Sequence, residues 1–283
     1  MAADKSITIP QLYQMKAEGE VISMITAYDH PTATFVDQAG IDVVLVGDSV
    51  GNNVLGYAST VPVTMDEMIH HTKAVRRGLE RALLVGDMPF MSYNVSDEQA
   101  IENAGRFLKE ARADAVKLEG GADMATRVAS LVRAGIPVMG HIGLTPQRVS
   151  QMGGYRVQGR DEAAARRLLG DAHALQEAGA FSLVLEMIPW QLAELVSERL
   201  EIPTIGIGAG PKCDGQVLVI NDVLGLSPVP LKLAKRYAEL NETIGQALAS
   251  FRAEVKDRQF PTVEENSFSM ADEVLEELRE PGH

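Results

Sequence analysis

Three carboxylates in this sequence each follow a short apolar run: Asp48 after Val43–Gly47, Asp87 after Ala82–Gly86, and Glu119 after Ala115–Leu118. Runs of this length and β-branched content read as strands. Neighbouring strands lie ~4.8 Å apart, so the ends of three consecutive ones can bring their acids to a single ion. Oxygen donors with no thiolate or paired imidazole beside them favour Mg²⁺, which keeps places for water and substrate oxygens. Taken alone, an acid after a strand also suits the N-cap of the next helix. Three in succession fit that account poorly, the more so because alternation puts Lys117 on the same face as Glu119.

A fourth acid stands apart. Glu186 ends the run Ser182–Leu185, well round from the others, and would face the ion across room for a small substrate. A carboxylate opposite a Lewis acid can take a proton from carbon beside a carbonyl. An ion pair closing the barrel is the competing account of Glu186. His141 lies within Val138–Ile142, the run between Glu119 and Glu186. His70 and His71 are adjacent, so on a helix their side chains diverge, and surface positions are expected for both and for His173. His30 is expected in a first helical turn. Cys213 has no evident base partner and reads as inert. The segment Gly206–Gly210 fails the dinucleotide fingerprint, whose third glycine would fall on Pro211. It reads instead as a tight loop where backbone or ligand approaches closely.

These groups need a scaffold that delivers the ends of many strands to one place. Eight apolar runs qualify as strands: Val21–Ala27, Val43–Gly47, Ala82–Gly86, Ala115–Leu118, Val138–Ile142, Ser182–Leu185, Thr204–Gly208 and Val217–Ile220. Between them lie amphipathic stretches with helix signals, among them Gly121–Ala134, Asp161–Ala178 and Trp190–Leu200. Thr64 with Glu67 forms a capping box, and Ser96 with Gln99 repeats the device before Ala100–Ala111. The longest helix is expected over Leu231–Val255, with Pro228 and Pro230 just ahead of it. Near-continuous hydrophobicity suits a parallel sheet covered on both faces. The α/β pattern fits either a (β/α)8 TIM barrel or an open doubly wound sheet. Polar groups after strand upon strand favour the barrel, because an open sheet gathers its site at one switch point.

Composition narrows the class further. At 283 residues the chain fits one barrel of about 250 residues, read as domain 1–262, with 263–283 left as an acidic tail. That tail reads as solvated, or as an oligomerisation helix reaching a neighbouring subunit. A net charge of −13 excludes a nucleic-acid phosphate partner as the default. One cysteine rules out an internal disulfide, and no apolar run approaches the ~20 residues of a membrane span. A cytoplasmic protein with no membrane partner is expected.

The segments Met24–Asp29, Val46–Asn52, Gly86–Phe90, Val116–Gly120, Gly140–Gln147 and Ile205–Gly210, together with Glu186, resemble the ketopantoate hydroxymethyltransferase family in order and spacing. The resemblance implies a phosphoenolpyruvate/pyruvate-type barrel with a long C-terminal helix. It implies transfer of a hydroxymethyl group from 5,10-methylenetetrahydrofolate to 3-methyl-2-oxobutanoate, giving 2-dehydropantoate in pantothenate biosynthesis through a Mg²⁺-stabilised enolate. By motif match Asp48 and Asp87 would bind one Mg²⁺ per subunit, with Glu119 completing the site. Asp48, Ser49, Asp87 and Lys117 would hold the 2-oxo acid, His141 would orient it, and Glu186 would take its C3 proton. The folate would be a co-substrate and the assembly a homo-oligomer, typically a decamer. A carbon–carbon lyase or mutase of the isocitrate-lyase type shares the barrel but relies on a lid loop with a reactive cysteine, which nothing here resembles. A catalytically silent oligomeric barrel is the other rival, and the full set of acids speaks against it.

Overall fold

Parallel strands that are hydrophobic on both faces must be covered on both, and here the sheet also closes on itself, which removes its edges. In a computed structural model, which describes residues 6–151, 153–227 and 229–280, the strands are β1 (Ile22–Thr26), β2 (Val43–Val46), β3 (Leu83–Asp87), β4 (Ala115–Lys117), β5 (Val138–Gly143), β6 (Ser182–Glu186), β7 (Thr204–Ile207) and β8 (Gly215–Leu218). They pair in sequence order, all parallel, and β8 returns to β1 with Met24 opposite Val217. The expected (β/α)8 barrel is the fold. No helix among the described residues is long and apolar enough to cross a membrane.

The helices are α1 (Ile9–Glu18), α2 (His30–Gln38), α3 (Val50–Asn53), α4 (Met65–Arg76), α5 (Asp97–Ala111), α6 (Ala125–Arg133), α7 (Glu162–Glu177), α8 (Trp190–Arg199), α9 (Ile220–Val223), α10 (Leu240–Lys256), α11 (Val263–Asn266) and α12 (Asp272–Arg279). Side-chain alternation sorts the strands into two cores. Outward residues such as Val44, Leu84, Val116 and Leu183 pack under the helices. Inward residues Met24, Leu45, Val85, Met139, Val184 and Ile205 fill the lumen. Leu12 and Met15 of α1 join that inner cluster beside Ile22, Val43 and Leu83, where the strands begin. α1 therefore plugs the lower end of the barrel.

Local signals account for most helix starts. Thr64 and Glu67 form the capping box of α4 reciprocally. Ser96 accepts from Gln99 N–H, but the Gln99 side chain turns to Val95 N–H and Met91 O, so the second box does not close. The long C-terminal helix starts later than expected, at Leu240 rather than Leu231. Residues ahead of it are tied to the loop after β8: Tyr237 N–H donates to Val223 O and Leu240 N–H to Leu224 O, while Arg236 reaches Ser227 O. Those bonds hold the preceding segment as turns. Pro228 lies outside the described residues. Strand β8 starts at Gly215 instead of Val217, because Gly215 pairs with Ile22 and has no room for a side chain there. Gly210 sits at φ +80 against Trp190, so the close approach expected in the Gly206–Gly210 loop is made by that side chain.

Candidate active site

The upper end of the barrel holds the polar groups. Inward positions there carry Asp87, Lys117, His141 and Glu186 at successive strand ends, and Asp87 is the register partner of Lys117 on β4. That pairing places Lys117 Nζ 2.8 Å from Asp87 Oδ1 and 3.9 Å from Glu119 Oε1. Asp48 follows β2, and its backbone N–H donates to Asp87 Oδ2 at 3.1 Å. Asp48, Asp87, Lys117, Glu119 and His141 are all at least 96% buried. Ser49 turns its hydroxyl to the Tyr28 hydroxyl at 2.8 Å. The seven sequence-predicted site residues, Asp48, Ser49, Asp87, Lys117, Glu119, His141 and Glu186, all line one cavity of about 120 Å³. That is small beside the 300–1,000 Å³ of drug-sized sites.

The cavity has two characters. On the β2–β4 side stand Asp48, Ser49, Thr60, Asp87 and Lys117. On the β6–β8 side stand Val184, Ile207, Val217 and Leu218, with Glu186 at the top of β6. His141 bridges the two, with Nδ1 3.6 Å from Glu119 Oε1 and Nε2 3.2 Å from Glu186 Oε2. Gly143, at φ +94 just after it, has no space for a Cβ because the Glu186 carbonyl occupies that point. Strands β5 and β6 thus approach closely beside the candidate base.

Charge is unevenly balanced here. Burial, and then Asp87 and Glu119, push the Asp48 carboxyl well above the ordinary carboxylate range. Burial also raises Asp87, against the pull of Lys117. Glu119 is buried too, yet His141, Lys117 and the Gln147 N–H hold it below the usual range. Burial and Lys117 push the His141 imidazole down, but bonds with Glu119 and Glu186 more than offset them and leave it at about 9. Lys117 is held above its usual value by Asp87, Glu119 and Asp48 despite its burial. The site is short of positive charge at Asp48, and its free donors are hard carboxylate oxygens. Both properties fit a divalent cation such as Mg²⁺. Among the described residues no three acids or histidines already surround one point closely enough to grip an ion. Lys117 stands between Asp87 and Glu119, which leaves Asp48 and Asp87 as the candidate ligands.

Sequence reading passed over two residues that hold these acids in place. Gln147, 4% exposed, donates its backbone N–H to Glu119 Oε2 at 3.0 Å and its side-chain amide to Asp48 Oδ2 and Met88 O, both at 2.9 Å. Its amide oxygen accepts from the Tyr93 hydroxyl at 2.6 Å, which also lies 3.2 Å from the Glu119 backbone. Met88 O can only accept, which fixes the amide orientation. His71 also departs from expectation: it is half-buried, with Nδ1 2.7 Å from Tyr28 O at the end of β1. His70 and His173 are exposed as expected. Cys213 is buried, and burial pushes its thiol up to about 11.

A sequence model of the ketopantoate hydroxymethyltransferase family matches residues 6–263. A 3-methyl-2-oxobutanoate hydroxymethyltransferase of Carboxydothermus hydrogenoformans is 58% identical over 273 residues, covering 96% of this chain and 99% of the relative. The enzyme of that name from Moorella thermoacetica is 56% identical over 269 residues, covering 95% and 100%. Among solved structures, a putative phosphonomutase of Burkholderia cenocepacia J2315 superposes with a TM-score of 0.61 at 15% identity, covering 88% of this chain and 98% of that one. A 2,3-dimethylmalate lyase of the PEP mutase/isocitrate lyase superfamily superposes with a TM-score of 0.55 at 17% identity, covering 95% and 93%. At such identities the likeness is one of fold alone.

Proposed function

Because the chain belongs to the ketopantoate hydroxymethyltransferase family, we propose that this transferase moves a hydroxymethyl group from 5,10-methylenetetrahydrofolate to 3-methyl-2-oxobutanoate in a Mg²⁺-dependent reaction, giving 2-dehydropantoate. The observation that carries this reading is the two-sided cavity. A 2-oxo acid with a branched apolar end fits it in one orientation, with oxygens toward Asp48, Ser49, Asp87 and Lys117 and the isopropyl group toward Val184, Ile207 and Val217. That orientation brings the C3–H to the side on which Glu186 stands.

Asp48 and Asp87, with Glu119 behind them, would hold a divalent cation, and that ion would supply Lewis-acid polarisation of the 2-oxo group. The chain's own groups do the rest. Lys117 keeps Asp87 in place and sets an ammonium near the substrate's negative end. His141 holds Glu186 by its Nε2 and fixes the direction of the carboxylate. Glu186 takes the C3 proton, and the carbanion that remains attacks the methylene carbon of the donor. One carbon–carbon bond forms, both carbon–nitrogen bonds that tie the methylene carbon to the folate break, and water supplies the hydroxyl. The two freed nitrogens take the proton from C3 and the second proton of that water. The wall of Val184, Ile207, Val217 and Leu218 keeps bulk water from the carbon being deprotonated.

The same reading places the enzyme in the cytosol, where its one cysteine stays reduced. It also makes the enzyme a homo-oligomer, decameric as the family resemblance implies. Helix α10 supports this, since none of its residues is buried and Ile244, Leu248, Phe251 and Val255 form an exposed apolar stripe. The test is production of 2-dehydropantoate from the two substrates, with and without Mg²⁺, for the wild type and Glu186→Gln. Metal-dependent product is expected, reduced about 10²- to 10⁴-fold in the variant. Full activity in Glu186→Gln would remove Glu186 as the base. Absence of product from the wild type would remove the reaction.

A further inference from the structure

Thr60 is the residue of the cavity that the reaction so far leaves without a task. It lies between α3 and α4 and is 4% exposed, and its hydroxyl has no hydrogen bond among the described residues. Two other side-chain atoms of the cavity also lack hydrogen bonds, Asp87 Oδ1 and His141 Nε2, but each has an ionic neighbour, Lys117 and Glu186 respectively. Thr60 Oγ1 has none. Its own carbonyl accepts from Val63 N–H at 3.1 Å, so the turn that carries it is made by the backbone and does not need the hydroxyl. A buried hydroxyl without a partner costs folding free energy that a valine of the same shape would avoid. The position therefore needs a reason to carry Thr.

The cavity provides one. Thr60 lines it on the polar side, in company with Asp48, Ser49 and Lys117. Within about 120 Å³ a bound 2-oxo acid cannot lie far from any group of the wall. Asp48 and Asp87 are acceptors when ionised and repel the negative end of the acid unless a cation intervenes. Thr60 Oγ1 and Ser49 Oγ are neutral hydroxyls that can donate. We propose that Thr60 is a substrate-binding residue whose hydroxyl donates a hydrogen bond to the carboxylate of the 2-oxo acid. The inference rests on the reading of this cavity as the 2-oxo acid site. It makes Thr60 and Ser49 a pair of donors, of which Ser49 is braced by Tyr28 and Thr60 is held ready by the turn. The bare hydroxyl lowers the stability of the free protein and is satisfied when substrate arrives.

The test is calorimetric titration of the full-length protein, saturated with Mg²⁺, with 3-methyl-2-oxobutanoate. The wild type, Thr60→Val and Thr60→Ser are compared, each with a melting curve and steady-state kinetics. Thr60→Val is expected to weaken binding about ten- to hundredfold, the range of one hydrogen bond to a charged group. The loss should fall on KM rather than kcat, with a melting temperature equal to or above that of the wild type. Thr60→Ser keeps the donor and should stay within about threefold of wild-type affinity. Unchanged affinity in Thr60→Val overturns the inference while leaving the site reading intact. So does a fall in melting temperature shared by both variants, which would mark a structural role. Failure of the wild type to bind the oxo acid would overturn the site reading, and this inference with it.

Discussion

Replacing Gln147 by Met keeps the length and bulk of the side chain and removes its amide. Three partners then lose a bond at once: Asp48 Oδ2, Met88 O and the Tyr93 hydroxyl. A buried group left unpaired costs about 1–3 kcal/mol, with the charged acceptor at the upper end. The terms are not additive, because all three belong to one network. A total of roughly 3–6 kcal/mol is expected, a large part of the 5–15 kcal/mol that holds a typical protein folded. The backbone N–H of residue 147 still reaches Glu119, so the damage should centre on Asp48. The assay pairs urea unfolding of the metal-free protein with titration by Mn²⁺ followed by its paramagnetic signal. Stability should fall by that amount, and Mn²⁺ affinity should drop at least tenfold because Asp48 loses its orientation. A change below about 1 kcal/mol with unaltered Mn²⁺ binding would show that the amide neither supports the fold nor aims the acid.

Gly86→Ala should disturb the site from outside the barrel. A Cβ there would lie 2.7 Å from Phe107 Cε1, and Phe107 is fully buried, so about 1–3 kcal/mol of overpacking is expected. Since Gly86 immediately precedes Asp87, the strain should also lower turnover, and Gly86→Ala combined with Phe107→Leu should recover part of both in a melting and activity assay. Cys213 should resist alkylation at pH 7.5 in the folded protein and react fully in denaturant, measured by mass spectrometry. Its raised thiol pKa also gives a sign: this group contributes stability that is complete below pH 9 and is lost as the pH rises through about 11.

The barrel was legible because its strands are short, apolar and regularly spaced, and seven of the eight have both ends within one residue of where the hydrophobic runs put them. β8 slid because pairing begins at Gly215 and Gln216, which no apolar pattern marks. The C-terminal helix was overextended because turns over its first expected residues depend on bonds to the β8–α9 segment, which only the folded chain brings near. The acids could be read as a group since period-two alternation puts Lys117 and Glu119 inward together, and parallel register puts Asp87 beside Lys117. Gln147 escaped notice although the segment Gly140–Gln147 was recognised, because a glutamine after a proline carries no chemical signal until Asp48 and Glu119 stand on either side of it. His71 was misjudged for the same reason: whether it meets solvent or the Tyr28 carbonyl depends on how α4 lies against β1.

The plug made by Leu12 and Met15 has a consequence in time. With the lower end of the barrel filled by α1, the cavity lies toward the upper end, where the strands finish. Under the proposed function the oxo acid would occupy this room, and a folate, far too large for about 120 Å³, would stand at its mouth. Whatever stands there blocks the way for what lies within. On that reading the acid would enter before its donor, and the spent carrier would depart before the product. On the proposed function, a compulsory-order ternary mechanism would rest on two hydrophobic residues of a helix that does not line the cavity.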